Sequence, residues 1–101
     1  MEKRRPTYDL AQIQAVLCTP EALVMTTTAA IDARAIGFDA AQVVQVIQGM
    51  ERHQFYKSMT TYANHKIWQD VYHVDVGHIV LYVKFQADQV AEFRVMSFKE
   101  K

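Results

Sequence analysis

Residues 79–87 have the sequence Ile-Val-Leu-Tyr-Val-Lys-Phe-Gln-Ala, in which every odd-numbered side chain is apolar. Successive side chains of a β-strand point to opposite faces of its sheet, so this alternation predicts a strand with one buried face. The even-numbered residues Tyr82, Lys84 and Gln86 belong to the other face. That face is expected to meet solvent or a ligand.

Three other segments of the second half share this β-branched and aromatic composition: Lys57–Tyr62, Ile67–Val74 and Val90–Phe98. Short stretches of turn residues separate the four segments, which favours antiparallel hairpins. An even-length loop between Val74 and Ile79 would place some residues beside Tyr82 and others in the core. The two groups are Gln69, Val71 and His73 on the Tyr82 face, with Trp68 and Tyr72 packed inward.

A two-residue turn at Asp88-Gln89 predicts how the last strand pairs with its neighbour. The expected partners are Val95 with Tyr82, Met96 with Leu81, and Phe98 with Ile79. This register puts Ser97 and Lys99 on the Tyr82 face, and Met96 and Phe98 in the core. A slip by one residue would reverse both faces, and hydrophobicity disfavours it.

The stretch Phe55–Tyr62 is unusually polar for a strand, with Lys57 among aromatic residues and hydroxyls. Lys57 joins the Tyr82 face only if the connection between Tyr62 and Ile67 has odd length or contains a bulge. The sequence leaves both parities open. A half-exposed sheet with polar outer residues and lysines is also common without any binding function.

The first half of the chain predicts helices. Asp9 with Gln12, and Asp39 with Gln42, have the spacing of capping boxes. The predicted elements are a helix from Asp9 ended by Pro20, an extended piece at Leu23–Met25, a helix at Thr27–Ile36 capped by Gly37, and a helix from Asp39 to Gly49. Helices followed by a meander predict one α+β domain over residues 1–101, with N-terminal helices packed on one face of a C-terminal antiparallel sheet.

Composition narrows the class of protein. The chain has eleven basic and eleven acidic residues, which argues against a general polyanion binder but allows a local basic patch. No apolar run approaches the ~20 residues of a membrane span, so a cytoplasmic protein without membrane contact is expected.

The residue types of common catalytic and metal sites are sparse. Cys18 is alone and follows an apolar helical pattern, which predicts a buried or inert thiol. The four histidines lack the tight spacing of metal ligands, and there is no glycine-rich phosphate loop or nucleophile motif. The sequence therefore predicts neither a metal site nor a cofactor.

Several blocks rich in uncommon residues carry a resemblance that runs essentially from end to end. They are Met1-Glu2-Lys3-Arg4, Phe55 to Tyr62, Ile67-Trp68-Gln69-Asp70-Val71-Tyr72, and Ser97-Phe98-Lys99-Glu100-Lys101. Through them the chain resembles the motility quorum-sensing regulator (MqsR-type) toxins, bacterial mRNA interferases with a RelE-like fold from type II toxin–antitoxin systems. The match is weak between Val74 and Val95 apart from Tyr82 and Lys84.

The resemblance implies a metal-independent endoribonuclease that cuts single-stranded mRNA at short GC-containing sites, through the RNA 2′-hydroxyl, and so arrests growth. It implies that Lys57, Gln69 and Tyr82 carry the activity. Four further residues are expected to bind substrate: Met59, His73, Lys84 and Lys99.

The resemblance also implies a partner, a zinc-containing helix-turn-helix antitoxin of the MqsA type. Through that antitoxin the chain would reach DNA only indirectly. Two alternatives remain open: a non-catalytic, antitoxin-binding co-regulator, and an RNA-binding module that does not cut.

Overall fold

The computed structural model describes residues 1–87 and 92–101. In chain order, the elements are β1 Glu2–Lys3, α1 Leu10–Val16, α2 Thr27–Ala35, α3 Ala40–Gly49, a 3₁₀ turn Arg52–Gln54, β2 Phe55–Thr60, β3 Trp68–Asp75, β4 Val80–Ala87 and β5 Phe93–Glu100. The strands form one antiparallel sheet in the order β1-β2-β3-β4-β5. The predicted α+β architecture is confirmed, with helices preceding the main sheet. β1 and the 3₁₀ turn were not predicted.

The helix boundaries follow from local hydrogen bonds at their ends. Asp39 and Gln42 form the predicted capping box at the start of α3. Asp9 caps α1 by accepting from the Ala11 amide, and Gln12 takes no part as a reciprocal cap. Gly37 follows α2 with φ of 91°, a backbone conformation that favours glycine, so the predicted end of this helix is confirmed.

The pairing of β3 with β4 agrees with the predicted faces of the two strands. Tyr82 pairs with His73, and the neighbouring outer pairs are Val71 with Lys84 and Gln69 with Gln86. Trp68 lies on the inner face as predicted, in alternation with Asp70, but it is half-buried and outside the core, with the Lys3 ammonium 4.1 Å from its ring centroid. Tyr72 is fully buried as predicted.

The predicted register of the last strand is wrong. Tyr82 pairs with Lys99, four positions beyond the expected Val95, and a bulge follows between Lys84 and Phe85. An even slip preserves which residues share a face, so Lys99 still lies beside Tyr82. The bulge places Val95 in the core and leaves Met96 half-buried outside it. The predicted turn at Asp88-Gln89 lies outside the described residues.

The core lies between the helices and the inner face of the sheet. It contains Leu10, Ile13, Leu17, Ala29, Ala33, Val43, Ile47, Met50, Tyr72, Val74, Leu81, Val83, Phe85, Phe93, Val95 and Phe98. The segment before α2 adds a parallel bridge between Met25 and Val95, which fits the predicted extended piece. Cys18 was predicted to be a buried or inert thiol; it is exposed, so the buried alternative is wrong. Among the described residues, none of the helices has the length and apolar character needed to span a bilayer.

A buried carboxylate ties the N-terminal segment to the sheet. Asp70 is fully buried on the inner face and accepts the amide N–H groups of Thr7 and Tyr8, the shortest of these at 2.9 Å. Asp70 Oδ1 also accepts the Ser58 hydroxyl at 2.6 Å. These bonds compensate the cost of burying a charge and hold the chain that leads back to β1.

Candidate functional site

The odd-length connection between β2 and β3 brings Lys57 to the face of Tyr82, and a β-bulge lies just before Lys57 in β2. Phe55 pairs with Tyr72 and Lys57 pairs with Val71, so Tyr56 is the additional residue between them. Thr60 pairs with Trp68, which leaves residues 61–67, an odd number, in the connection. The condition that the sequence left open is therefore met, and Lys57 lies on the outer face of the sheet, opposite the helices.

The seven predicted site residues all lie on this outer face, in three successive rows across the strands. The rows are Met59 with Gln69; Lys57 with Val71 and Lys84; and His73 with Tyr82 and Lys99. Lys57 and Lys84 form the middle row, so Gln69 and Tyr82 lie on opposite sides of them. Val71 lies between these two lysines and is fully buried.

Lys57 is held by a carboxylate from β1. Its ammonium donates to Glu2 Oε1 at 2.6 Å, and its side chain is only 20% exposed. This hydrogen bond raises the pKa of Lys57, and the same contact lowers the pKa of Glu2. At neutral pH the site therefore contains an ammonium beside an ionised carboxylate.

The neighbouring titratable groups are shifted mainly by burial. Burial raises the pKa of Tyr82, which stays protonated at neutral pH although Lys57 opposes the shift. Burial also lowers the pKa of His73, and the nearby charges of Lys101 and Lys57 lower it further, so the imidazole is neutral. The pKa of Lys84 is lowered by burial and then by Lys99.

The amide of Gln69 is oriented by the neighbouring strand. Its Nε2 donates to Gln86 Oε1 at 2.9 Å, and both side chains lie at the Met59 end of the face. This bond fixes the plane of the Gln69 amide. A held amide presents a donor and an acceptor in set directions, which suits the positioning of a ribose or phosphate.

Three aromatic rings cross the sheet beside Lys57. Tyr56 stacks on His73 with centroids 4.2 Å apart, and His73 lies 6.0 Å from the ring of Tyr82. We call Tyr56, His73 and Tyr82 the aromatic row. Cations flank it, with the Lys57 ammonium 5.4 Å from the Tyr56 ring and the Lys99 ammonium 5.4 Å from the Tyr82 ring.

Sequence reasoning did not identify Glu2 and Tyr56 as members of the site. β1 has two residues and shows no periodicity, and the bulge before Lys57 leaves no compositional mark. The available signal was the resemblance itself, because two of its blocks contain these residues. In the described part of the chain, no three His, Cys, Asp or Glu side chains converge as metal ligands would.

Comparison with known proteins assigns the chain to a family. The mRNA interferase toxin MqsR of Escherichia coli (strain K12) is 37% identical over 101 residues, covering 100% of both chains. The model of the family described as "Motility quorum-sensing regulator, toxin of MqsA" matches residues 5–100, nearly the whole length. The chain belongs to this family of motility quorum-sensing regulator toxins.

Proposed function

We propose that this chain is a metal-independent endoribonuclease toxin that cleaves single-stranded mRNA at short GC-containing sites and so arrests translation and growth. Family membership and the relative named as an mRNA interferase support the reaction class. The observation that carries the proposal is the position of Lys57, Gln69 and Tyr82 on one outer face.

The reaction uses the nucleophile that RNA itself carries. The ribose 2′-oxygen forms a bond to the adjacent phosphorus while the bond from phosphorus to the 5′-oxygen breaks. The 2′-hydroxyl loses a proton and the leaving 5′-oxygen gains one, which gives a 2′,3′-cyclic phosphate and a 5′-hydroxyl. The protein must therefore position the phosphate, stabilise its developing negative charge and move two protons.

Lys57 supplies the positive charge. Its raised pKa keeps the ammonium protonated well above neutral pH, and its contact with Glu2 holds it on the outer face, toward the β1 edge of the sheet. A substrate phosphate next to this ammonium shares it with the Glu2 carboxylate or replaces that carboxylate. Gln69, with its amide plane fixed by Gln86, orients the ribose or the phosphate.

Proton transfer falls to the other groups of the face. Tyr82 is protonated at neutral pH and donates to the leaving 5′-oxygen. Two groups are in the form that accepts the 2′-hydroxyl proton: the ionised Glu2 carboxylate and the neutral His73 imidazole. A pH–rate profile separates them, because these two acceptors titrate in different ranges.

The remaining predicted residues contact the RNA chain around the cut. Lys84 and Lys99 border Tyr82 and bind flanking phosphates, and His73 extends this end of the face. Met59 lies at the opposite end beside Gln69 and contacts a base or sugar through its apolar side chain.

The biological partner is a cognate antitoxin that holds the toxin inactive in the cytoplasm. The family description names MqsA, and we propose a related zinc-containing helix-turn-helix protein. DNA contact then occurs only through that partner. Co-purification of the chain with the product of a neighbouring reading frame tests this pairing.

The reaction is tested with purified protein and a single-stranded RNA oligonucleotide that contains a GC step. We expect cleavage in the presence of EDTA, with products that end in a 2′,3′-cyclic phosphate, and no cleavage when the nucleotides of the step are 2′-deoxy. Cleavage that needs a divalent ion, or that persists on the 2′-deoxy oligonucleotide, would refute the proposed chemistry. Binding without any cleavage would favour the non-catalytic RNA-binding alternative.

A further inference from the structure

The bulge in β2 places two consecutive side chains, Tyr56 and Lys57, on the same face of the sheet. In a regular strand these neighbours would point to opposite faces. Phe55 keeps its core position against Tyr72, so the bulge adds Tyr56 to the outer face without loss of core packing. Bulges recur next to active sites, where they redirect a side chain.

Tyr56 is a rigid, accessible platform. It is 39% exposed, and His73 supports one face of its ring at a centroid distance of 4.2 Å with the planes 22° apart. The backbone of Tyr56 also lies within strand β2 rather than on a loop. The ring is therefore held in one orientation while much of its surface remains available.

A cavity of about 350 Å³ lies beside this platform. It is lined by His53, Gln54, Phe55, Tyr56, His73 and Asp75. Aromatic side chains form part of the wall, and a carboxylate, an amide and an imidazole supply hydrogen-bonding groups at its edge. A planar heterocycle with polar edges matches this combination of surfaces.

The charges around Tyr56 match a polyanion. The Arg4 guanidinium lies 5.5 Å from the ring centroid and the Lys57 ammonium 5.4 Å away. Arg4 is exposed, and its guanidinium donates a long hydrogen bond of 3.5 Å to the Tyr56 carbonyl. Arg4 can therefore move to a phosphate at little cost. Single-stranded RNA is bound by this combination of stacked aromatic rings and flanking cations.

We propose that Tyr56 binds one unpaired base of the RNA next to the phosphate held by Lys57, stacked on its ring and supported by His73. The inference rests on the proposed RNA cleavage and adds a base-binding subsite to it. Because the subsite lies next to Lys57, it sets which phosphate of the strand is presented for cleavage.

The test uses fluorescence anisotropy with an uncleavable single-stranded RNA, 2′-deoxy throughout its GC step, and a series in which each nucleotide in turn is abasic. We expect one abasic position to weaken binding to the wild-type protein roughly 5- to 100-fold. Tyr56→Ala should bind the intact oligonucleotide with a similar loss and show little further loss at that position. Tyr56→Phe, which keeps the ring, should behave as wild type.

Tyr62→Ala is the matched control, because Tyr62 is a fully exposed tyrosine in the loop after β2. It should leave both the affinity and the abasic profile unchanged. Thermal unfolding of each variant confirms that the fold is intact. The subsite is refuted if Tyr56→Ala binds the intact oligonucleotide with wild-type affinity. It is also refuted if the loss of affinity in Tyr56→Ala adds in full to the loss caused by every abasic position.

This design distinguishes a failure of the proposed cleavage from a failure of the base-binding subsite. If wild-type protein does not cut RNA but shows one abasic-sensitive position that depends on Tyr56, the subsite holds and the proposed cleavage does not. If wild-type protein cuts RNA and Tyr56→Ala binds the intact oligonucleotide with wild-type affinity, the catalytic proposal holds and the subsite is refuted.

Discussion

Two pairs of polar residues occupy adjacent positions on β2 and β3 but opposite faces of the sheet. Ser58 and Asp70 face the helices, whereas Lys57 and Gln69 face outward. The inner carboxylate is fully buried and accepts three backbone or side-chain donors from Thr7, Tyr8 and Ser58. The outer lysine has one carboxylate contact with Glu2 and retains access to solvent.

The two sites show the difference between a polar group that stabilises the fold and one that can still bind a ligand. A buried charge is tolerated when protein donors satisfy it, and such a group has little capacity left for a ligand. The outer pair keeps that capacity, because an ammonium has three donors and a single contact uses one of them. Substitutions on the two faces should therefore affect different properties, activity on the outer face and stability on the inner face.

The largest effect is expected for Lys57→Ala. Removal of the ammonium that stabilises charge on the phosphate should reduce the cleavage rate by about 100- to 1000-fold. The melting temperature should change little, because the side chain lies on the outer face. Single-turnover cleavage of labelled RNA measures the loss, and Lys66→Ala, in the exposed loop between β2 and β3, is the control. Cleavage at the wild-type rate would remove Lys57 from the mechanism.

On the inner face, Asp70→Ala should instead reduce the stability of the fold. The variant leaves the amides of Thr7 and Tyr8 and the Ser58 hydroxyl without their acceptor, so the free energy of unfolding should fall by about 3 kcal/mol. Urea denaturation measures this change. Glu21→Ala removes an exposed carboxylate and should stay within about 0.5 kcal/mol of wild type. Equal stability of both variants would show that the N-terminal segment is held by other contacts.

The same comparison shows what the sequence could predict. Alternation along residues 79–87 identified the two faces, and the even loop after β3 carried that assignment correctly to Gln69 and His73. The burial of Asp70 was not predicted because the residue type alone indicates a surface position. Its two backbone donors come from residues more than sixty positions away. Periodicity contains no information on such distant contacts.

Two β-bulges explain the remaining differences between the predicted and the observed positions of side chains. One in β2 adds Tyr56 to the outer face, and one between β4 and β5 sends Val95 into the core and Met96 out of it. A bulge adds one unpaired residue to a strand and so changes which face the residues beyond it occupy. No distinctive sequence marks its position. The even slip of β5 kept Lys99 beside Tyr82, so that face was predicted correctly from an incorrect register.

An intermediate effect is expected for Glu2→Gln, which removes the partner of Lys57 without removing the lysine. The hydrogen bond with Glu2 is the largest cause of the raised pKa of Lys57, so its loss should lower that pKa. The alkaline limb of the cleavage rate should then move to lower pH, with only a few-fold change at neutral pH if Glu2 is not the proton acceptor. A pH–rate profile measures both quantities. A loss at neutral pH as large as that of Lys57→Ala would assign the 2′-hydroxyl proton to Glu2.

The smallest effect is expected for the pH dependence of stability, to which the His73 imidazole on the outer face contributes. Burial, with Lys101 and Lys57 nearby, lowers the pKa of this imidazole below its ordinary value of 6.5, so the unfolded chain binds more protons than the folded one in that range. Stability should therefore fall as the pH decreases through 6.5 toward the lowered pKa, and no further loss from this group should follow below it. His73→Gln should show a flatter dependence over the same interval in urea denaturation at a series of pH values. Parallel curves for the two proteins would mean that the folded environment does not disfavour the charged imidazole, contrary to its burial and to the nearby charges of Lys101 and Lys57.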